Sequence, residues 1–164
     1  SDSCRKTQHG QSACMRIALF EPEIAGNVGA VLRLGACLGA EVDLIEPMGF
    51  EWDDRRVRRT AMDYIDHVDV ARHRGWDAFA GTVGNARLVL FTTKATQSLY
   101  DFAFSQDDVL LFGKESAGVP DMVRDASHEK LRIPMRPAVR SMNLATSAAL
   151  SVGEALRQTG GLGA

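Results

Sequence analysis

Apolar residues along the chain fall into short continuous runs separated by segments of helical period, and the two kinds alternate. Arg16–Phe20 is an apolar run closed by Glu21-Pro22 and predicts a buried strand. Asn27–Leu38 carries Val28, Val31, Leu32 and the small Gly35 at helical spacing, with Gly39 as its stop. Glu41–Glu46 predicts a strand halted by Pro47. Asp53–Met62 predicts a basic helix that Asp53 or Asp54 can cap. Tyr64–Val68 is expected as a short strand, and Val70–Val83 as a helix with Trp76, Phe79, Ala80 and Val83 along one side. Arg87–Thr93 is the clearest strand, Ser98–Phe104 has no evident type, and Asp108–Phe112 is a strand running into Gly113. Pro120–Arg124 reads as a short helix, Lys130–Ile133 as a strand cut by Pro134, and Met142–Arg157 as a long helix closed by Gly160-Gly161.

Strands alternating with helices at this spacing predict an α/β fold, a mostly parallel sheet with helices on both faces. Neither a linker nor a repeat interrupts the pattern, so residues 15–164 are expected to form one domain. Ser1–Cys14 is polar and aperiodic and is expected to be a disordered leader or expression remnant. A 164-residue chain buries roughly 70% of its unfolded surface, enough for a real core.

The longest apolar runs, such as Leu88–Phe91 and Val109–Phe112, are far short of the ~20 residues that span a bilayer. With no apolar signal segment at the start either, the expected compartment is the cytoplasm, without membrane association. The net charge of −2 means that any nucleic-acid contact must come from a local patch. Arg55-Arg56-Val57-Arg58-Arg59 is such a patch, with Arg55, Arg58 and Arg59 on one helical face; the bland alternative is a solvated helix. Arg72, His73 and Arg74 could extend it. The cysteines, Cys4, Cys14 and Cys37, lack metal spacing, and their odd number argues against a disulfide framework. Cys37 is expected to be a small buried residue. His9, His67, His73 and His128 form no i, i+4 pair, so no metal is expected.

The familiar nucleotide loops are missing. Glu21-Pro22-Glu23-Ile24-Ala25-Gly26-Asn27-Val28-Gly29 after the first strand is not G-x-G-x-x-G, and no G-x-x-x-x-G-K-[ST] occurs. Gly113 to Gly118 fails as a nucleophile elbow, because Lys114 stands where glycine is required.

Three segments of unusual composition remain, each following a strand. In the first, Asn27 to Arg33, Asn27 suits a helix cap, and Arg33 stands in an apolar stretch where it must meet an anion or lie at the surface. The second, Leu110 to Pro120, holds Gly113, Glu115 and Gly118; it is either a ligand loop at a strand end or an ordinary connection. The third runs from Arg132 to Leu144, with Ser141 as a natural cap of the last helix.

In this order the three segments resemble the SPOUT methyltransferases. That superfamily carries N-x-G-x-x-x-R, L-F-G-x-E-x-x-G-L-P and I-P-M…S-[ML]-N-[LV]; here these stand as Asn27–Arg33, Leu111–Pro120 with Val119 for leucine, and Ile133–Leu144. Glu21-Pro22-Glu23-Ile24, Ile45 to Phe50, Trp52-Asp53-Asp54 and Thr92-Thr93-Lys94 extend the likeness to the minimal single-domain group that methylates the wobble ribose of tRNA. The resemblance implies a sheet whose C-terminal third threads into a deep trefoil knot, a rare topology. It implies S-adenosyl-L-methionine as cofactor, held bent by Phe91, Thr92, Thr93, Gly113, Glu115, Ile133, Met135, Ser141, Met142 and Leu144. It also implies tRNA as substrate and a homodimer with each site completed by the partner subunit.

By the same resemblance Asn27, Arg33, Glu115, Ser141 and Asn143 shape the catalytic site. A guanidinium stays protonated at any working pH, so an arginine here would hold phosphate and stabilise a developing alkoxide rather than accept a proton. Arg136 and Arg140 flank the substrate loop and join Arg55, Arg58 and Arg59 as expected RNA contacts. A ribosomal RNA target and a non-catalytic RNA-binding role are the competing readings. Relatives with ribosomal targets carry an added RNA-binding domain, which Ser1–Cys14 is too short to hold.

Overall fold

The structure is a computed structural model that describes residues 14–61 and 64–162. The expected leader therefore lies outside the described residues, apart from Cys14, and so does Met62 at the end of the expected basic helix. The elements run β1 (Arg16–Phe20), α1 (Ala25–Leu38), β2 (Glu41–Ile45), α2 (Asp54–Ala61), β3 (Val70–His73), α3 (Trp76–Ala80), β4 (Leu88–Phe91), β5 (Val109–Phe112), α4 (Asp121–Ala126), β6 (Glu129–Leu131) and α5 (Leu144–Thr159). Six strands form one parallel sheet in the order β3-β2-β1-β5-β4-β6, the α/β architecture that the alternation predicts.

Both faces of the sheet are covered, which is why the strands are apolar throughout rather than alternating. Ile17, Leu19, Val42, Leu44 and Leu110 pack against Val28, Val31 and Leu32 of α1 and Ala148 and Val152 of α5. Ala18, Phe20, Leu90 and Leu111 face the other way, onto Phe79 of α3 and Val123 of α4. Gly35 is needed where α1 meets β2, since a Cβ there would lie 2.8 Å from Ala40 O and 2.9 Å from Val68 Cγ2.

The second face also buries a charged cluster that the pattern does not reveal. Asp43 in β2 is fully buried and takes Arg16 Nε at 2.9 Å on Oδ2, with His73 Nε2 2.7 Å from Oδ1. A buried carboxylate survives only when paired in this way. His73 is thereby withdrawn from the expected basic patch. Arg72 is engaged too, pairing with Glu46 and lying 4.8 Å over the Trp52 ring.

Two expected elements are different in the structure, and one segment without an expected type acquires one. Tyr64–His67 is a single 3-10 turn instead of a strand. Val70–Val83 is not one helix: Val70–His73 pairs with β2, Gly75 is fully extended, and only Trp76–Ala80 is helical. Four edge residues, three half-buried and Arg72 exposed, fit either period, so tertiary pairing decides. Ser98–Phe104 contains a 3-10 turn, Leu99–Asp101, whose first N–H groups include Tyr100 N bonded to Ser98 Oγ. Cys37 is exposed, not buried.

The C-terminal third places the site. After β4 the chain makes a loop, residues 92–98, and the segment leaving β6 is hydrogen-bonded near both of its ends. Thr92 N donates to Leu131 O at 2.9 Å on one side; on the other, Arg132 N donates to Gln97 O at 2.8 Å and Leu99 N to Arg132 O at 3.0 Å. Among the described residues no helix is long and apolar enough to cross a membrane.

Candidate active site

The loops beyond the carboxyl ends of β1, β4 and β5 enclose a cleft of about 640 Å³, where open parallel sheets place their ligands. Its floor is the stacked pair Phe91 and Phe112, in register on adjacent strands with ring centroids 4.9 Å apart. All ten residues expected to hold a cofactor line it: Phe91, Thr92, Thr93, Gly113, Glu115, Ile133, Met135, Ser141, Met142 and Leu144.

One wall is the loop after β5. Lys114 N donates to Gly118 O at 2.8 Å and Gly118 N to Lys114 O at 3.0 Å, pinching the loop into a narrow hairpin. A Cβ at Gly113 would lie 2.5 Å from Gly118 C, and Gly118 has φ +66°, so both glycines are required by close approach and left-handed backbone respectively. The neighbouring loop after β1 is also unusual: Glu21 has φ 45°, rare for a residue with a side chain, and its carboxylate pairs with Lys114 Nζ at 3.2 Å.

A chain of hydrogen bonds joins the three motifs. Asn27 Nδ2 donates to Glu115 Oε1 at 3.3 Å, and Asn143 Nδ2 donates to Asn27 Oδ1 at 3.0 Å. Asn143 Oδ1 then accepts from Thr146 N at 3.2 Å, capping α5. Capping thus falls to Asn143 rather than to Ser141, and Asn27 caps nothing; Ile24 holds that position in α1 and Asn27 sits in the first turn, turned towards Glu115. Freed from capping, Ser141 is exposed at the cleft.

Arg33 does not line this cleft. It is exposed on α1, with its guanidinium 5.0 Å from the centre of the Tyr64 ring. Of the expected RNA contacts, Arg140 borders the cleft and Arg136 lies exposed four residues before it. Arg55 and Arg58 are exposed on α2, Arg58 3.1 Å from Asp66, while Arg59 borders a separate hollow of about 250 Å³ between α2 and the start of α1. Lys94, Lys114 and Arg124 also border the main cleft, cations that the sequence pattern does not single out. Among the described residues no cluster of His, Cys, Asp and Glu could hold a metal ion.

The chain matches the model of the SpoU rRNA Methylase family over residues 14–152. It is 49% identical over 148 residues to a tRNA (cytidine(34)-2'-O)-methyltransferase of Beijerinckia indica, covering 89% of this chain and 92% of that one. It is 43% identical to the protein of the same description from Escherichia coli, covering 92% and 97%. A solved structure described as "Structural insights into the 2-OH methylation of C/U34 on tRNA" superposes with a TM-score of 0.85 at 38% identity, covering 89% of this chain and 96% of its own. The motifs, the sheet order and these likenesses agree, and the chain belongs to the SpoU rRNA methylase family of SPOUT methyltransferases.

Proposed function

We propose that this chain transfers a methyl group from S-adenosylmethionine to the ribose 2′-hydroxyl of the anticodon wobble nucleotide of tRNA, as a homodimer. The cleft carries the reading: motifs far apart in sequence meet around one space at the carboxyl ends of the strands. The activities of the relatives at 49% and 43% identity support the same target.

The lining suits this cofactor. Phe91 and Phe112 give an apolar floor for an adenine, and the hairpin at Gly113 and Gly118 brings backbone where a side chain would intrude. Bound there, the sulfonium supplies an electrophilic methyl group. The chain's own task is then to hold the ribose hydroxyl in line and to exclude water. Asn27, Glu115 and Asn143 fix the wall by their hydrogen bonds, and Ser141 offers a hydroxyl at the mouth. Arg33 would steady the neighbouring phosphate and the developing alkoxide; the hydroxyl proton would leave to that phosphate or to water. Lys94, Arg136 and Arg140 lie where an RNA backbone would approach.

The deciding experiment is transfer of labelled methyl from S-adenosylmethionine to unmodified tRNA, with nuclease mapping of the product. Label as 2′-O-methyl at the wobble nucleotide is expected. Label only in ribosomal RNA, or none with either RNA, overturns the reading. Charge reversal at Arg55 and Arg58 (R55E, R58E) is expected to weaken tRNA binding about tenfold and to lower its salt slope by about 2, one for each phosphate no longer neutralised. Cofactor affinity stays unchanged. Binding titrations across a salt series check this, and an unchanged slope returns that helix face to plain solvation.

A further inference from the structure

Glu23 belongs to the loop between β1 and α1 and does not line the cleft, yet it makes the closest polar contacts between this loop and the cofactor wall. Its Oε1 accepts from Ser116 N at 2.9 Å and from Ser116 Oγ at 2.7 Å. In return Glu23 N donates to Glu115 Oε2 at 2.8 Å. The two loops therefore grip each other reciprocally, each offering a carboxylate to the other's backbone N–H. Such charge-assisted bonds are about twice as strong as neutral ones.

Glu23 is also braced from behind. Gly49 N donates to Pro22 O at 2.9 Å, and a Cβ on Gly49 would lie 2.9 Å from Glu23 Cα, so the turn after β2 presses directly on this residue. The carboxyl is held below the usual carboxylate range by the Ser116 side-chain and backbone hydrogen bonds first, with Lys114 adding and burial opposing. It is therefore ionised at neutral pH. Ser116 lies on the hairpin that Lys114 and Gly118 close, and it borders the cleft.

We propose that Glu23 is a positioning residue: its carboxylate clamps the Gly113 to Gly118 hairpin in its cofactor-holding shape and so sets cofactor affinity without touching the cofactor. The proposal rests on the cleft being the S-adenosylmethionine site. Its carboxylate acts through Ser116.

The test uses the full chain and the variants Glu23→Ala, Glu23→Gln and Ser116→Ala. Calorimetry gives the Kd for S-adenosylmethionine, steady-state kinetics give kcat and the KM for tRNA, and melting reports the fold. Glu23→Ala is expected to weaken cofactor binding about tenfold, the scale of one charge-assisted hydrogen bond. The KM for tRNA and kcat at saturating cofactor stay within about twofold, because the reacting groups are untouched. Glu23→Gln restores most of the affinity, since its amide oxygen can accept the same two bonds. Ser116→Ala keeps the backbone bond and costs less, and adding it to Glu23→Ala adds almost nothing, as coupled partners require. Unchanged cofactor affinity in Glu23→Ala overturns the proposal. So does a joint loss of melting temperature, tRNA binding and cofactor binding that glutamine does not rescue. Wild-type chain that binds no S-adenosylmethionine overturns the function reading itself, and the clamp with it.

Discussion

Arg33→Ala is expected to lose turnover by about a thousandfold, while cofactor affinity and melting temperature stay close to wild type. The side chain is exposed, and its contact with the Tyr64 ring is a surface cation–π pair worth ~0.5–1 kcal/mol. Its absence from its own cleft is informative. In a homodimer Arg33 of one subunit would complete the cleft of the other. Mixing Arg33→Ala chains with chains carrying a cleft defect such as Asn143→Ala tests this arrangement. Each mixed dimer would then have one site with an intact cleft and an intact arginine, so random reassortment returns about a quarter of wild-type activity from two inactive proteins. Zero recovery with confirmed mixing means that Arg33 serves its own chain. Full turnover by Arg33→Ala alone removes the residue from the mechanism.

The second large effect is expected at Gly113. In Gly113→Ala the new methyl would meet Gly118 C, Cα and O at 2.5, 2.7 and 2.8 Å, all backbone atoms that cannot swing aside. The hairpin must open, breaking the Lys114–Gly118 pair and carrying Glu115 and Ser116 away from Asn27 and Glu23. Overpacking of this kind costs about 1–3 kcal/mol. For a chain of this size that lowers Tm by roughly 2–12 °C and leaves it folded near room temperature. Cofactor affinity should fall much further, about a hundredfold or more, because the displaced hairpin is the wall itself. Melting and calorimetry on the same sample separate the two effects; a hundredfold loss of affinity without hairpin displacement would have to be sought elsewhere, and unchanged affinity refutes the assignment of the wall.

Much of this site is legible in the sequence because its chemistry is concentrated in strand-end loops. Glycines at 113 and 118, and the pairing of Ser141 with Asn143, stand out as polar or small residues against apolar neighbours, and the ten residues expected around a cofactor border one cleft. What the sequence hides is partnership. Asn27 looks like a helix cap and is instead a bridge from Glu115 to Asn143. Asp43 passes unremarked within the strand Glu41–Glu46 and is the buried anchor of Arg16 and His73. Glu23 is an ordinary acid until Ser116 is seen beside it. The edge strand β3 is hidden for another reason: its four residues are too few for a period of 2 to be told from one of 3.6, and the backbone of β2 decides. Arg33 is legible as an arginine with its charge at the surface, but not as one that stands outside the cleft lined by the other motifs.

The Asn143–Asn27 hydrogen bond joins residues 116 positions apart. On the ribosome this sets an order of events. The strands β1 and β2 and helix α1 emerge early, but the wall that Asn27 braces is incomplete until the last helix has been made and brought back across the sheet. A nascent chain, or one cut short before Asn143, has the arginines of α2 without a finished cleft. The enzyme is therefore silent through nearly all of its own synthesis, and a contact that must close late, across most of the chain, is also one that makes it competent.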